Sequence, residues 1–155
     1  MIELQPIKDY DICLLEKWLY MPHIKKWFHE TKDWLYEVEK RNSEFKWIHH
    51  FIVTYENNPI GFCQYYEYCN SGEDWHGKIT ISGAYSIDYL IGETEYIGKG
   101  LGKDVVRALI ERIKLCKNAE KVIVQPEQDN TASCSLLAAC GFVFDKENQV
   151  YIYAL

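Results

Sequence analysis

Three glycines at alternate positions, in Ile97-Gly98-Lys99-Gly100-Leu101-Gly102-Lys103, separate an apolar run, Ile87 to Ile91, from a helical run, Lys103 to Lys117. A chain that passes from strand to helix through such a stretch is committed to layering a helix on a sheet. The helix must also begin where the backbone is bare of side chains. Unpaired N–H groups and the helix dipole favour an anion there, and a diphosphate fits. The spacing G-x-G-x-G meets neither the dinucleotide fingerprint G-x-G-x-x-G nor the P-loop pattern. On pattern alone, a plain flexible turn and a phosphate cradle are evenly balanced.

The rest of the chain alternates in the same way. Ile2 to Ile7 reads as a first strand that stops near Pro6. Asp9 is placed to cap a helix on which Ile12, Leu15, Trp18 and Leu19 share one face, until Pro22 interrupts it. Thr31 to Asn42 reads as a second helix, with Glu37 and Glu39 on a solvated surface. Lys46 to Glu56 is a strand, Asn57-Asn58-Pro59 turns the chain, and Ile60 to Tyr66 returns as the hairpin partner. A polar loop, Asn70 to Lys78, leads into a long stretch, Ile79 to Gly92, whose second half is a strand. Beyond the glycines Val105, Val106, Leu109, Ile110 and Ile113 form one apolar helix face. Lys121 to Gln125 is a strand ended by Pro126, and Asn130 caps a helix finishing at Cys140-Gly141. Phe142 to Phe144 and Val150 to Tyr153 close the chain as strands. The order β-α-α-β-β-β-α-β-α-β-β predicts an α/β (α+β) domain, a mixed central sheet of about seven strands with helices on both faces. At 155 residues, positions 1–155 make a single domain.

Composition narrows the partners. Acidic residues outnumber basic ones 23 to 17, and no basic stripe exists to neutralise a nucleic-acid backbone. An acidic balance is compatible with a cationic substrate and equally with ordinary solubility. No apolar run approaches the ~20 residues of a membrane helix, so no membrane partner is expected. The start of the chain lacks the basic and apolar segments of a signal peptide, which makes a cytoplasmic location the expectation. Cysteines 13, 63, 69, 116, 134 and 140 make no Cys-x-x-Cys pair and no zinc spacing with histidine. Free thiols and no metal are expected.

Ser86 to Gly92 followed by Gly98-Lys99-Gly100-Leu101-Gly102-Lys103-Asp104-Val105-Val106 resembles the core motif of the GCN5-related N-acetyltransferases (GNAT). The element order agrees with that fold over most of the chain. The resemblance implies that acetyl-coenzyme A is the cosubstrate and that its pyrophosphate lies on the amides of Gly98, Lys99, Gly100, Leu101, Gly102 and Lys103. Ile97 departs from the family's Gln or Arg at that point, but backbone donors do not depend on side-chain identity. Trp18-Leu19-Tyr20-Met21-Pro22-His23-Ile24, Asn58-Pro59-Ile60-Gly61-Phe62-Cys63-Gln64 and Ile87-Asp88, ten residues before Gly98, are similar to stretches of the aminoglycoside 6′-N-acetyltransferases. That branch implies a small cationic amine acceptor, an aminoglycoside; the sequence leaves monomer and homodimer both open.

The chemistry asks for acids independently of any family. An amine must be neutral to attack a thioester, and a carboxylate within reach can draw off its proton. Further carboxylates hold the remaining ammonium groups. Asp88 is the expected base, because Asp is depleted from strands without a cause. Its inert alternative is an outward-facing strand residue. Glu73 and Asp74, in a polar loop, are candidates to assist it, and the family match favours substrate contact for at least one. Trp27, Tyr66 and Trp75 are candidates to line the acceptor site, with core or rim packing as the plainer alternative. Backbone N–H groups near Tyr89, Leu90 and Ile91 are expected beside the thioester. Asn130 matches a family asparagine that touches the pantetheine arm, and helix capping accounts for it equally well. Where many family members carry a tyrosine to protonate the leaving thiolate, this chain has Leu137. That departure keeps a non-catalytic acyl-coenzyme A sensor open as an alternative, beside acetylation of a siderophore precursor, a polyamine or a protein amine.

Overall fold

The computed structural model describes residues 1–155. Runs of β-branched and aromatic residues give seven strands: β1 (Ile2–Pro6), β2 (Ile48–Tyr55), β3 (Asn58–Glu67), β4 (Ala84–Ile91), β5 (Lys121–Val124), β6 (Val143–Asp145) and β7 (Val150–Ala154). They form one sheet in the order β1-β2-β3-β4-β5-β7-β6. Only β4 and β5 run parallel. The remaining pairs are antiparallel. The mixed seven-stranded sheet expected from the sequence is present. The first hairpin turns one residue pair earlier than expected. Glu56 and Asn57 take left-handed conformations, with φ of 50° and 69°, the pairing that suits a two-residue hairpin. Asn58 and Pro59 therefore already belong to β3, and the register shifts between Val53 and Thr54 to admit the proline.

Five helices cover the sheet: α1 (Ile12–Leu19), α2 (Pro22–Lys25), α3 (Thr31–Glu39), α4 (Leu101–Lys114) and α5 (Thr131–Ala139). Pro22 ends the α1 pattern and also opens α2, where its missing N–H costs nothing at the first helical position. The glycine stretch feeds the helix two residues sooner than expected, at Leu101. Two apolar cores lie on opposite faces of the sheet. On one, Val105, Val106, Leu109, Ile110 and Ile113 of α4 bury their predicted face against Phe51, Val53, Tyr65 and Ile87. On the other, Leu15, Trp18, Leu19, Leu35 and Val38 pack on Ile52, Phe62 and Leu90. No helix is long and apolar enough to cross a membrane. All six cysteines are free thiols.

One contact fixes the end of β4, just ahead of the glycine turn. Trp18 is fully buried, and its indole N–H donates to the Glu93 carboxylate. Its ring lies so close to Gly92 that an added Cβ would sit 2.2 Å from Trp18 Cγ. Gly92→Ala is therefore expected to destabilise the fold by about 2 kcal/mol through overpacking, as read by chemical denaturation. An unchanged unfolding midpoint would show that α1 is not seated on β4 as described.

Candidate active site

The site begins where the sheet fails to close. Strands β4 and β5 are registered only at Ala84 with Lys121 and Tyr85 with Val122, after which they part. The Gly92 N–H donates to the Ile60 carbonyl across β3. By antiparallel alternation the amides and carbonyls of Asp88 and Leu90 are likewise turned toward β3, and those of Ile87, Tyr89 and Ile91 face the gap. The amides that face the gap near the expected thioester are therefore those of Tyr89 and Ile91, whereas that of Leu90 is committed to the sheet. His23 Nε2 donates to the Ile91 carbonyl at 3.2 Å, and the hydroxyls of Tyr89 and Ser133 share a hydrogen bond of 2.7 Å across the gap. Ser133 in turn is held by its N–H on Asn130 Oδ1 at 3.1 Å, so Asn130 caps α5 as expected.

The gap opens into a cleft of about 800 Å³ lined from Trp27 and Asp88 at one side to Gly98, Gly100 and Lys103 at the other. Gly98 and Gly100 hold φ of 79° and 78°, and the space where their side chains would stand is open. Gly100 is the N-cap of α4 and offers no side chain to it. None of the amides from Gly98 to Lys103 donates to a backbone carbonyl outside the helix. A row of free N–H groups thus sits at the positive end of a fourteen-residue helix. Gly102 plays a different part, since a Cβ there would meet Leu136 of α5 at 2.6 Å. It lets the two helices close on one another.

Asp88 lines this cleft from β4. Burial of its carboxyl is the main cause that raises its pKa to about 6, with Glu73 adding to the rise and a hydrogen bond from Gln64 opposing it. Glu73 is held by the Tyr66 hydroxyl at 3.2 Å and the Trp75 indole N–H at 3.0 Å. Burial pushes Glu37 on α3 up to about 7, and Asp88, Asp33 and Glu73 contribute like-charge repulsion in that order. The expectation that Glu37 belongs to a solvated surface is corrected: it faces the acidic cluster. Glu73, Tyr66 and Trp75 form one hydrogen-bonded group close to Asp88, but none of the three lines the cleft that holds the glycine turn. Asp74 does not join them and stays on the exposed face of the loop. Trp75 also packs edge-on against Tyr68, with ring centroids 4.8 Å apart, which is the plainer packing role. Trp27 lines the cleft with Lys26 Nζ 4.9 Å from its ring centroid. Leu137 is fully buried in the core below α5 and offers nothing to the cleft. Gln64 carries no signal of its own in the sequence, and its contact with Asp88 depends on the strand register. No His, Cys, Asp and Glu side chains are grouped in threes to hold a metal ion.

Comparison with known proteins shows the family and the fold. The family described as acetyltransferase (GNAT) domain matches residues 8–150, and the chain belongs to that family of acetyltransferases. The aminoglycoside N(6′)-acetyltransferase type 1 of Klebsiella pneumoniae is 27% identical over 147 residues, covering 91% of this chain and 73% of that protein. The protein of the same name from Serratia marcescens matches to the same extent. Among solved structures, aminoglycoside acetyltransferase AAC(6′)-Ib in complex with coenzyme A shares the fold at a TM-score of 0.81 and 24% identity, covering 99% of this chain and 95% of that one. The same enzyme with ribostamycin and coenzyme A gives 0.79 and 25%, with 99% and 91% covered. The family implies acetyl-coenzyme A, and the residues present fit it. Unfilled space before Gly98 and Gly100 and unclaimed amides on α4 suit a diphosphate, and the unpaired edge of β4 suits an arm that carries amides.

A carboxyl whose folded pKa is raised holds its proton to higher pH than the unfolded chain does. Stability is therefore lost as pH rises from about 4 through about 6, the window set by Asp88. Asp88→Asn removes that loss. It is expected to be more stable than the parent by roughly 1–3 kcal/mol at pH 7.5, with the advantage fading by about pH 4, as read by denaturation across pH. Equal stability at every pH would contradict the buried-charge description.

Proposed function

We propose that this chain transfers the acetyl group of acetyl-coenzyme A directly to an amine of a small polycationic acceptor, in particular the 6′-amine of an aminoglycoside. The observation that carries the reading is that Asp88 lines the same cleft as the free amides of the glycine turn, with Glu73 close enough to raise the pKa of Asp88 and both close enough to raise that of Glu37. The names of the relatives support the acceptor class.

Acetyl-coenzyme A supplies an activated acetyl thioester. The amides from Gly98 to Lys103 bind its diphosphate. The free N–H of Tyr89 is the donor for the thioester carbonyl. Asp88, ionised above about pH 6, takes the proton of the attacking ammonium directly or through one water. Glu37 and Glu73 hold further ammonium groups of the acceptor and orient the reacting one. Their mutual repulsion is relieved when that cation arrives. Trp27, Tyr66 and Trp75 wall the acceptor, and Asp74 guides it from the loop surface. With Leu137 buried, α5 brings no phenol to the leaving sulfur, and a thiolate is stable enough to depart unaided.

Thiol release measured with a panel of amines tests the proposal. Release is expected with kanamycin-type sugars and much less with polyamines, hydroxylamine-bearing siderophore precursors or peptide amines. Asp88→Asn is expected to lower turnover at least about 100-fold while coenzyme affinity is kept. Release only with the other amines would move the acceptor class, and tight coenzyme binding without release from any amine would leave a sensor. Near-normal turnover in Asp88→Asn would remove Asp88 as the base.

A further inference from the structure

Three polar side chains stand at paired positions across the three central strands: His50 on β2, Gln64 on β3 and Asp88 on β4. They lie on the face that carries Ile52, Phe62 and Leu90, under α1 and α3. Gln64 is 2% exposed and His50 5%. Placing an amide and an imidazole among such neighbours is costly unless their hydrogen bonds are made. Gln64 makes one, from Nε2 to Asp88 Oδ2 at 2.9 Å. Its Oε1 and both ring nitrogens of His50 have no partner. Apolar residues of the same size would serve a merely structural strand better.

We propose that Gln64 is the positioning residue for Asp88: from the neighbouring strand it fixes Oδ2, and so the plane of the carboxylate, leaving Oδ1 to meet the amine. The proposal rests on the reading of Asp88 as the base. A glutamine suits the task because its amide donates to a carboxylate without competing for the proton. Only the nitrogen end can face an ionised Asp88, so the carboxylate also sets the orientation of the amide. The acids and phenols around Asp88 work against its charge or are neutral. Glu73 comes from the loop after β3, Glu37 with Asp33 from α3, Tyr66 from β3 and Tyr89 from β4 itself. His23 of α2 and Lys103 of α4 line the same cleft. His50, whose pKa burial lowers to about 3, is neutral at the far end of the row. Gln64 is the neighbour that favours the ionised form.

Gln64→Met keeps the length of the side chain and removes its donor. The Asp88 carboxyl is followed by carbon-13 NMR titration, alongside the pH profile of kcat/KM at saturating acetyl-coenzyme A. The variant is expected to keep its unfolding midpoint within experimental scatter and its coenzyme affinity. Its Asp88 should titrate at higher pH than in the parent, and the acidic limb of kcat/KM should move with it. Plateau kcat should fall about tenfold, with a smaller change in KM for the amine. Gln64→Glu, which sets a like charge at the same place, should move the titration further in the same direction and serves if the methionine variant does not fold. An unmoved Asp88 titration in a folded variant would overturn the role of Gln64. A moved titration without a matching move of the acidic limb would instead overturn Asp88 as the base, and with it any catalytic use of Gln64.

Discussion

The backbone of β4 has a partner along the whole of one edge and for only two residues along the other. Buried N–H and C=O groups without partners are costly, and a sheet that parts in mid-strand must answer for them. Here the answers are partial. His23 takes the Ile91 carbonyl, and the Tyr89–Ser133 bond ties α5 back to β4 where the main chains have separated. What is left over, chiefly at Tyr89, is a strand edge inside a cleft, matched in chemistry to a guest with peptide-like groups of its own. The same opening leads to the start of α4, where Gly98 and Gly100 turn the chain through a conformation that side chains resist. One interruption of the sheet thus accounts for both the groove and the anion site at its end.

The carboxylates are the second expense. Asp88, Glu37 and Glu73 repel one another, and burial raises Asp88 and Glu37 toward neutral pKa values. Two well-packed cores on either side of the sheet offset that cost. A cluster tuned in this way is poised to accept protons near neutrality and to welcome cations. Those are the two demands of acetylating one ammonium group in a molecule that carries several. Trp18, closed over Gly92, packs the end of β4 against α1.

Much of this was legible in the sequence. Hydrophobic periodicity gave the order of strands and helices, because each apolar face serves a core that exists. Residue type and strand context singled out Asp88, whereas the glycine turn was evenly balanced on pattern alone and Glu73 stood on the family resemblance. The hairpin was misplaced because Asn58-Pro59 looks like punctuation, whereas the turn depends on left-handed backbone at Glu56 and Asn57. Glu37 was misjudged for a different reason. Next to Val38 on α3 it looks solvated by helical period, and only the docking of α3 against the sheet aims it at Asp88. Gln64 and the release of Tyr89 rather than Leu90 into the gap depend on strand register, which no local pattern encodes.

Amide chemical-shift mapping on titration with coenzyme A addresses the parted sheet most directly. The amides of Gly98 to Lys103 and of Tyr89 should move together in one saturable event, while that of Leu90, already paired to β3, moves far less. A saturable event that leaves these amides in place, or shifts centred on another surface, would contradict the account of β4 and the glycine turn as one binding groove.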